Sequence, residues 1–409
     1  MRILALGVYG QTGLSIALRE PLKRLYLAGE HDVLMMGIGF NGWHCFVDKE
    51  DFPFPIIPTY GRKNGEDCLA TAAKKYNPHI LWTFHDVQWV RYITNPDNFS
   101  IQMAPEAREF LKHKNRNFVH LGYFPIDGMC KDNRLPKPFD TIIKGMDVPV
   151  TCSRFTKKAV DDELGLDIPM IYHGIDTKKF FPMDAMEARK KLGIPEDRFV
   201  VGMIAANQER KLFEDLIPAF ARFCRDKPEA NLLLFTDLFP RDFYGSHDLI
   251  DLMNQYDVMK RFIDISPFLN CDDLHMNYFY NAIDVGVLCT QGEGFGLPII
   301  HHHAVGRPVL ASDNTSCTEM TVHPVERLKH RSTLISNGNN LVRFLTDIED
   351  LAEKLEMLYH NPDLREEIGR LGMERVKKDF EYDTVIMPQW RELLARVEKD
   401  FSHRWAQGK

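Results

Sequence analysis

Short apolar runs rich in β-branched residues recur along the whole chain, each followed by a stretch of helical pattern. This alternation constrains the fold more than any other feature. In the first half the runs are "RILALG", "DVLMMGIG", "HILWTF", "FVHLGYF", "VPVTCS" and "PMIYHG". In the second they are "FVVGMIA", "NLLLFTD", "FIDIS", "DVGVLC" and "PVLAS". Strands separated by helices pair in parallel, because only a crossover helix returns the chain to the same end of a sheet. Near-continuous apolar runs such as Val285–Leu288 suit central strands covered on both faces. The expected class is α/β, with doubly wound parallel sheets.

A chain of 409 residues exceeds one ordinary hydrophobic core. The polar, proline-bearing stretch at residues 173–202 is the expected boundary, with a new strand starting near Phe199. We expect a first domain at 1–178, joined by the C-terminal helix at 384–409, and a second at 179–383. The two halves share no sequence repeat. Two doubly wound domains are expected to face across a cleft at the carboxyl ends of their strands, where ligands bind.

Composition narrows the function. A net charge of −7 and a pI of about 6.2 argue against a dedicated nucleic-acid binder. No apolar run reaches the roughly 18 residues that span a bilayer. "MRILALGVYGQTG" reads as a strand and its turn rather than a signal peptide. The eight cysteines are scattered without a C-x-x-C pair, as in a reduced cytoplasmic protein. Arg108, Lys112, Lys114 and Arg116 form a basic cluster that is either a solvated face or a peripheral membrane contact.

"GEGFGLPIIHHHAVGRPVL", residues 292–310, follows an apolar strand. Gly292, Gly294 and Gly296 make a turn, Pro298 suits the first helical position, and Gly306 with Pro308 ends the helix, which therefore runs from about Leu297 to Val305. Such a turn is either purely structural or a cradle of amides for phosphate. His301, His302 and His303 project about 100° apart and cannot converge on one ion. Of His302 and His303, one is expected to face the core and the other solvent. The spacing for a helical metal pair, as in H-E-x-x-H, is absent. Asp272 and Asp273 read as helix caps, not as a D-x-D metal motif.

"EGFGLPIIHHHAVGRPVLASDNTSCTE" resembles the signature of retaining glycosyltransferases of the GT-B type, family 4 (glycosyl transferases group 1). "IAANQERKLFEDLIPAFARF", "IYHGIDTKKFFP", "VTCSRFTKKAV" and "NPDLREEIGRLGMERVKKDF" resemble further segments of that family. The resemblance covers about residues 148–385. It implies two Rossmann-like domains and transfer of a sugar, with retention, from a nucleoside diphosphate sugar to an acceptor hydroxyl. No metal or other cofactor is implied.

In that reading Lys211 and Arg210 hold the leaving diphosphate together with the amides of Gly294, Phe295 and Gly296, and Asn207 and Leu297 line the donor site. Glu293 matches the first signature glutamate and would accept bonds from donor hydroxyls. The leaving phosphate itself would take the acceptor's proton. Gly10, Gln11 and Thr12, after the first strand, and His85 are expected cleft or acceptor residues, and Asp127 a candidate to orient the sugar. For Asp127 and His85 a cap or turn role stands beside the functional one.

Two positions depart from the pattern. Ala205 and Ala206 stand where the family carries an arginine, and His301 stands where it carries a ribose-binding glutamate, whose bidentate acceptance an imidazole cannot copy. The acceptor is open among glycan, lipid-linked sugar and small molecule, with protein or DNA less favoured. The rival reading is a catalytically silent sugar-nucleotide-binding protein or a subunit of a larger transferase. A glycoside hydrolase would need two facing carboxylates, and only Glu293 stands out.

Overall fold

The computed structural model describes residues 1–42, 49–59, 64–66, 68–98, 103–240, 246–265 and 273–406. The chain forms two compact units, Met1–Gly174 with Tyr382–Lys409, and Ile175–Glu381.

The first unit is built on six parallel strands: β1 (Arg2–Val8), β2 (Asp32–Ile38), β3 (Ile56–Pro58), β4 (Ile80–Phe84), β5 (Val119–Phe124) and β6 (Val148–Thr151). Their order is β3-β2-β1-β4-β5-β6. β4 and β5 are buried along their whole lengths, as strands covered on both faces must be. The terminal helix Met387–Ala406 packs on this sheet, with Trp390 against Trp82 at 4.4 Å between ring centroids. Arg404 of the same helix reaches Asp147 at 2.7 Å.

The second unit repeats the plan. β7 (Phe199–Ile204), β8 (Ala230–Phe235), β9 (Phe262–Ile263), β10 (Val285–Leu288), β11 (Val309–Ser312) and β12 (Arg327–Leu328) form a parallel sheet in the order β12-β11-β10-β7-β8-β9. Val285–Leu288 lies between β11 and β7, an interior strand as its apolar run implies.

Some expectations need correction. "PMIYHG" makes only an isolated bridge, Thr151 to Met170, and no strand. The pair β13 (His330–Ile335) and β14 (Val342–Thr346) is antiparallel and was not expected. Its first strand, "HRSTLI", is mostly exposed and lacks the alternation that marks a half-buried strand. Asp273 opens the helix Asp273–Ala282, whereas Asp272 lies outside the described residues. Arg116 does not belong to an exposed basic face: its side chain is 1% exposed and bound to Asp147 at 2.7 Å. Lys112 is likewise engaged, with Glu109 at 2.7 Å and Asp97 at 3.2 Å. No helix among the described residues is long and apolar enough to cross a membrane.

Candidate functional site

In the second unit the sheet order reverses direction beside β7, whose neighbours are β10 and β8. At such a switch point the segments leaving the two central strands part to opposite faces and leave a crevice at their carboxyl ends. The segments here are residues 205–212 after β7 and 289–296 after β10. They bring Arg210 and Lys211 onto Glu293.

Lys211 ends the short turn Glu209–Lys211, and Leu212 then takes a left-handed conformation (φ 44°) before the helix Phe213–Phe223 begins. That turn aims the lysine inward, where it is 6% exposed. Its Nζ donates to Glu293 Oε1. Arg210 Nη1 donates to the same oxygen at 2.9 Å and to the Gly292 carbonyl at 3.3 Å. Thr290 Oγ1 supplies a third donor to Oε1, at 2.9 Å.

Burial works against the charged carboxylate of Glu293, but the Arg210 and Lys211 cations and the hydrogen bonds outweigh it, holding its pKa down at about 2. Burial and the neighbouring guanidinium lower the Lys211 pKa, with Glu293 opposing. Two cations and one buried anion share this site.

The backbone of Glu293 is fixed by residues that the sequence pattern did not single out. Thr315 Oγ1 accepts the Glu293 N–H at 2.9 Å, and Ser316 Oγ donates to the Glu293 carbonyl at 2.8 Å. Thr290 is held in turn: its N–H donates to Ser312 Oγ at 2.9 Å, and Asn314 Nδ2 donates to its carbonyl at 2.9 Å. Thr315 has φ 45°, a region where a β-branched side chain is an outlier. A serine- and threonine-rich run, "SDNTS", is the signal that marked this support in the sequence.

Gly296, at φ 95°, caps the helix Leu297–Ala304, which carries Pro298 in its first turn. Gly306 follows at φ 72°. Phe295 turns its ring inward, 4% exposed and edge-on to Phe380. Leu297 is half-buried at the helix start. Asn207 is committed to the scaffold: Nδ2 donates to the Asp237 and His247 carbonyls at 3.0 and 2.7 Å, and Oδ1 accepts the His247 N–H at 3.2 Å.

The three histidines of the helix diverge. His301 is 8% exposed, stacked on Tyr280 at 5.1 Å and tilted against Phe180 at 4.4 Å. Burial pulls its pKa down to about 4, so it is neutral at physiological pH. His302 fills the space that Gly286 leaves: a Cβ on Gly286 would lie 2.4 Å from its Nε2. His303 Nε2 meets Glu326 Oε1 at 2.8 Å, both side chains fully buried. The expectation that one of His302 and His303 faces solvent is therefore wrong. Among the described residues no group of three His, Cys, Asp or Glu is placed to hold a metal ion.

The remaining candidates lie in the first unit. Thr12 caps the helix Gly13–Leu27 through its side chain. Gln11 Nε2 donates to Asp51 Oδ2 at 2.9 Å, and its Oε1 accepts from Arg19 Nη1 at 2.8 Å. Gly10 has φ 135° and accepts from Arg19 at its carbonyl. His85 follows β4 directly, and burial lowers its pKa to about 4. Asp127 is half-buried in the loop after β5.

Two Rossmann-like units of this kind define the GT-B class of fold. Over 98% of this chain the fold superposes on all of a sucrose-phosphate synthase from Thermosynechococcus elongatus, at 19% identity and a TM-score of 0.74. The HepE protein of Anabaena, solved in complex with UDP and glucose, matches over 97% of this chain and 100% of its own, at 16% identity and a TM-score of 0.69. Residues 184–375 match the family model "Glycosyl transferases group 1", and that part of the chain belongs to the family.

Similar curated sequences include the lipopolysaccharide core biosynthesis mannosyltransferase LpsB of Rhizobium meliloti, 27% identical over 38% of this chain and 44% of the relative. The capsular polysaccharide biosynthesis glycosyltransferase CapM of Staphylococcus aureus is 24% identical over 54% of this chain and 51% of the relative. The chain spans about half the length of the curated relatives it matches.

Proposed function

We propose that this protein is a retaining glycosyltransferase that moves a sugar from a nucleoside diphosphate sugar to an acceptor hydroxyl, without a metal. The observation that carries the reading is the convergence of Arg210 and Lys211 with Glu293 at the switch point of a group 1 unit. As the glycosidic bond breaks, negative charge builds on the leaving diphosphate. Preorganised cations in a partly water-excluded crevice stabilise that charge at little reorganisation cost. The forked guanidinium and the ammonium supply them, beside the N-terminus of the helix Leu297–Ala304 with its favourable dipole end.

Glu293 fixes both cations before the donor arrives and offers its second oxygen to donor hydroxyls. The leaving phosphate accepts the proton of the acceptor hydroxyl, so the reaction needs no protein nucleophile. The HepE complex with UDP and glucose supports a nucleotide-sugar donor for this fold.

His301 is the observation that favours the rival, a catalytically silent nucleotide-sugar binder. Packed between Tyr280 and Phe180, it offers at most one hydrogen bond where the family glutamate offers two. The silent binder would hold nucleotide without turnover. A panel of nucleotide sugars, with binding and nucleotide release followed separately, distinguishes the two. Turnover abolished in Lys211→Ala supports the transferase, and binding without release in the natural chain supports its rival.

A further inference from the structure

The crevice that holds Lys211 and Glu293 opens at the carboxyl ends of β7 and β10. At the other end of the same sheet, where β7, β8 and β9 begin, lies a separate cavity of about 460 Å³, within the size range of small-molecule sites. Leu192 closes the helix Ala185–Leu192 and lines this cavity together with Ile194, Pro195 and Phe262. Arg198 stands directly before β7, and Lys260 and Arg261 directly before β9.

Three cations are thereby gathered at one end of the sheet. The Nη1 atoms of Arg198 and Arg261 both donate to the Pro228 carbonyl, that of Arg198 at 3.4 Å. Sharing one oxygen keeps the two nitrogens within about 7 Å of each other, two hydrogen-bond lengths. Like charges at that separation repel, and both side chains belong to half-buried residues, where screening is weaker than in open solvent. Neighbouring carboxylates offset little of this. Asp197 meets Arg198 only at 3.6 Å, and its side chain is 78% exposed. Glu229, which feels the charge of Arg261, accepts the hydroxyl of Tyr359. Among the described residues the lining carries three cations and one carboxylate, Asp264, which leaves two positive charges.

Asn231, in β8, is an independent sign of a ligand. Its Nδ2 donates to the Arg261 carbonyl at 2.9 Å, which fixes the amide orientation. Its Oδ1 is buried and has no hydrogen-bond partner among the described residues. A buried acceptor left unpaired is costly, and a hydroxyl group would satisfy it. Two surplus positive charges match a phosphate monoester, which carries nearly two negative charges at neutral pH and three acceptor oxygens. A carboxylate would balance only one. The apolar wall suits the C–H face of a carbon skeleton.

We propose that this cavity binds a phosphorylated sugar or polyol, with the phosphate held by Arg198, Arg261 and Lys260 and a ligand hydroxyl donating to Asn231 Oδ1. The site goes beyond the transferase reading and does not depend on it. Lying at the opposite end of the sheet from Lys211, it can be filled while the other crevice is occupied.

The test is calorimetric titration of the full chain with glucose 6-phosphate, glucose 1-phosphate, glycerol 3-phosphate, inorganic phosphate and glucose, with and without saturating UDP. At least one phosphorylated ligand binds about tenfold or more tightly than inorganic phosphate, glucose does not bind, and UDP changes the affinity by less than about twofold. Arg198→Gln and Arg261→Gln each weaken binding about tenfold or more, the loss of a charge-assisted hydrogen bond, and Arg261→Lys recovers part of it. Asn231→Ala brings the sugar phosphate down to the level of inorganic phosphate. Circular dichroism establishes that each variant is folded. Lys211→Ala, which alters the crevice at the other end, leaves binding unchanged. Loss of binding in Lys211→Ala, or competition by UDP, would move the phosphate to that crevice and overturn the proposal. Affinity unmoved by both arginine variants, equal affinity for inorganic phosphate, or no binding by any phosphorylated ligand would overturn it as well. Failure of the natural chain to release nucleotide from any donor counts against the transferase, while the titration still decides this site.

Discussion

Lys211 and Glu293 lie 82 residues apart in the chain, and the switch point between β7 and β10 brings their side chains into direct hydrogen-bond contact. The pair is buried, with side-chain exposures of 8% and 10%. Removing one member leaves the other ion poorly compensated. Lys211→Met is expected to destabilise the second unit by about 3 kcal/mol, the lower end for breaking a buried pair because Arg210 and Thr290 remain on the carboxylate. Urea denaturation checks it, and a change under about 1 kcal/mol would show that Arg210 alone suffices.

Thr315 holds the Glu293 amide and adopts a backbone conformation that a β-branched residue avoids. Thr315→Val removes the acceptor and keeps the shape, so the Glu293 N–H loses its partner. Amide exchange at Glu293 should accelerate at least about tenfold, and nucleotide release should slow by a similar factor with UDP affinity little changed. Thr315→Ser keeps the oxygen and should behave as the natural chain. Equal exchange in Val and Ser variants would remove Thr315 from this role.

Gly286 and His302 touch where any side chain on residue 286 would enter the imidazole. His302 is 1% exposed and cannot swing aside. Gly286→Ala should cost about 1–3 kcal/mol through overpacking. In the double variant Gly286→Ala with His302→Ala most of that strain is relieved, so a thermodynamic cycle should show strong non-additivity. Additive effects would mean that the two do not meet.

Burial lowers the pKa values of His120 and His173 to about 3 and that of His301 to about 4, against an ordinary 6.5. Each is neutral when folded and takes up a proton more readily when unfolded. Their contribution is therefore intact above pH 6.5 and falls as pH drops, by about 1.4 kcal/mol per unit for each ring until its folded pKa is reached. Stability should decline steeply from pH 6.5 to 4. His301→Phe keeps an aromatic ring on Tyr280 and should flatten the decline of the second unit. A pH profile that His301→Phe leaves unaltered would contradict the assignment.

Much of the fold was legible in the sequence because its central strands are short, continuous apolar runs. The exposed strand His330–Ile335 was not, since it buries no face that would impose a pattern. The turn from Gly292 into the helix at Leu297 was legible through Gly296, Pro298 and Gly306. The destinies of the histidines were hidden, because the groups that receive them are Tyr280, Gly286 and Glu326, on other elements of the unit. For the same reason Asn207, read as a ligand contact, proves to be tied to backbone carbonyls across a loop. Long-range partners, not local propensity, decide those positions.

The most direct test of the transferase account is nucleotide release from a panel of nucleoside diphosphate sugars by the natural chain and by Lys211→Ala and Glu293→Gln, with a metal chelator present throughout. The account predicts release of the nucleoside diphosphate by the natural chain, with the anomeric configuration of the donor kept in the product. Both variants should lose at least about a hundredfold in rate, as expected for removing a group that stabilises the developing charge. Equal rates in all three proteins, or no release from any donor despite nucleotide binding, would contradict it.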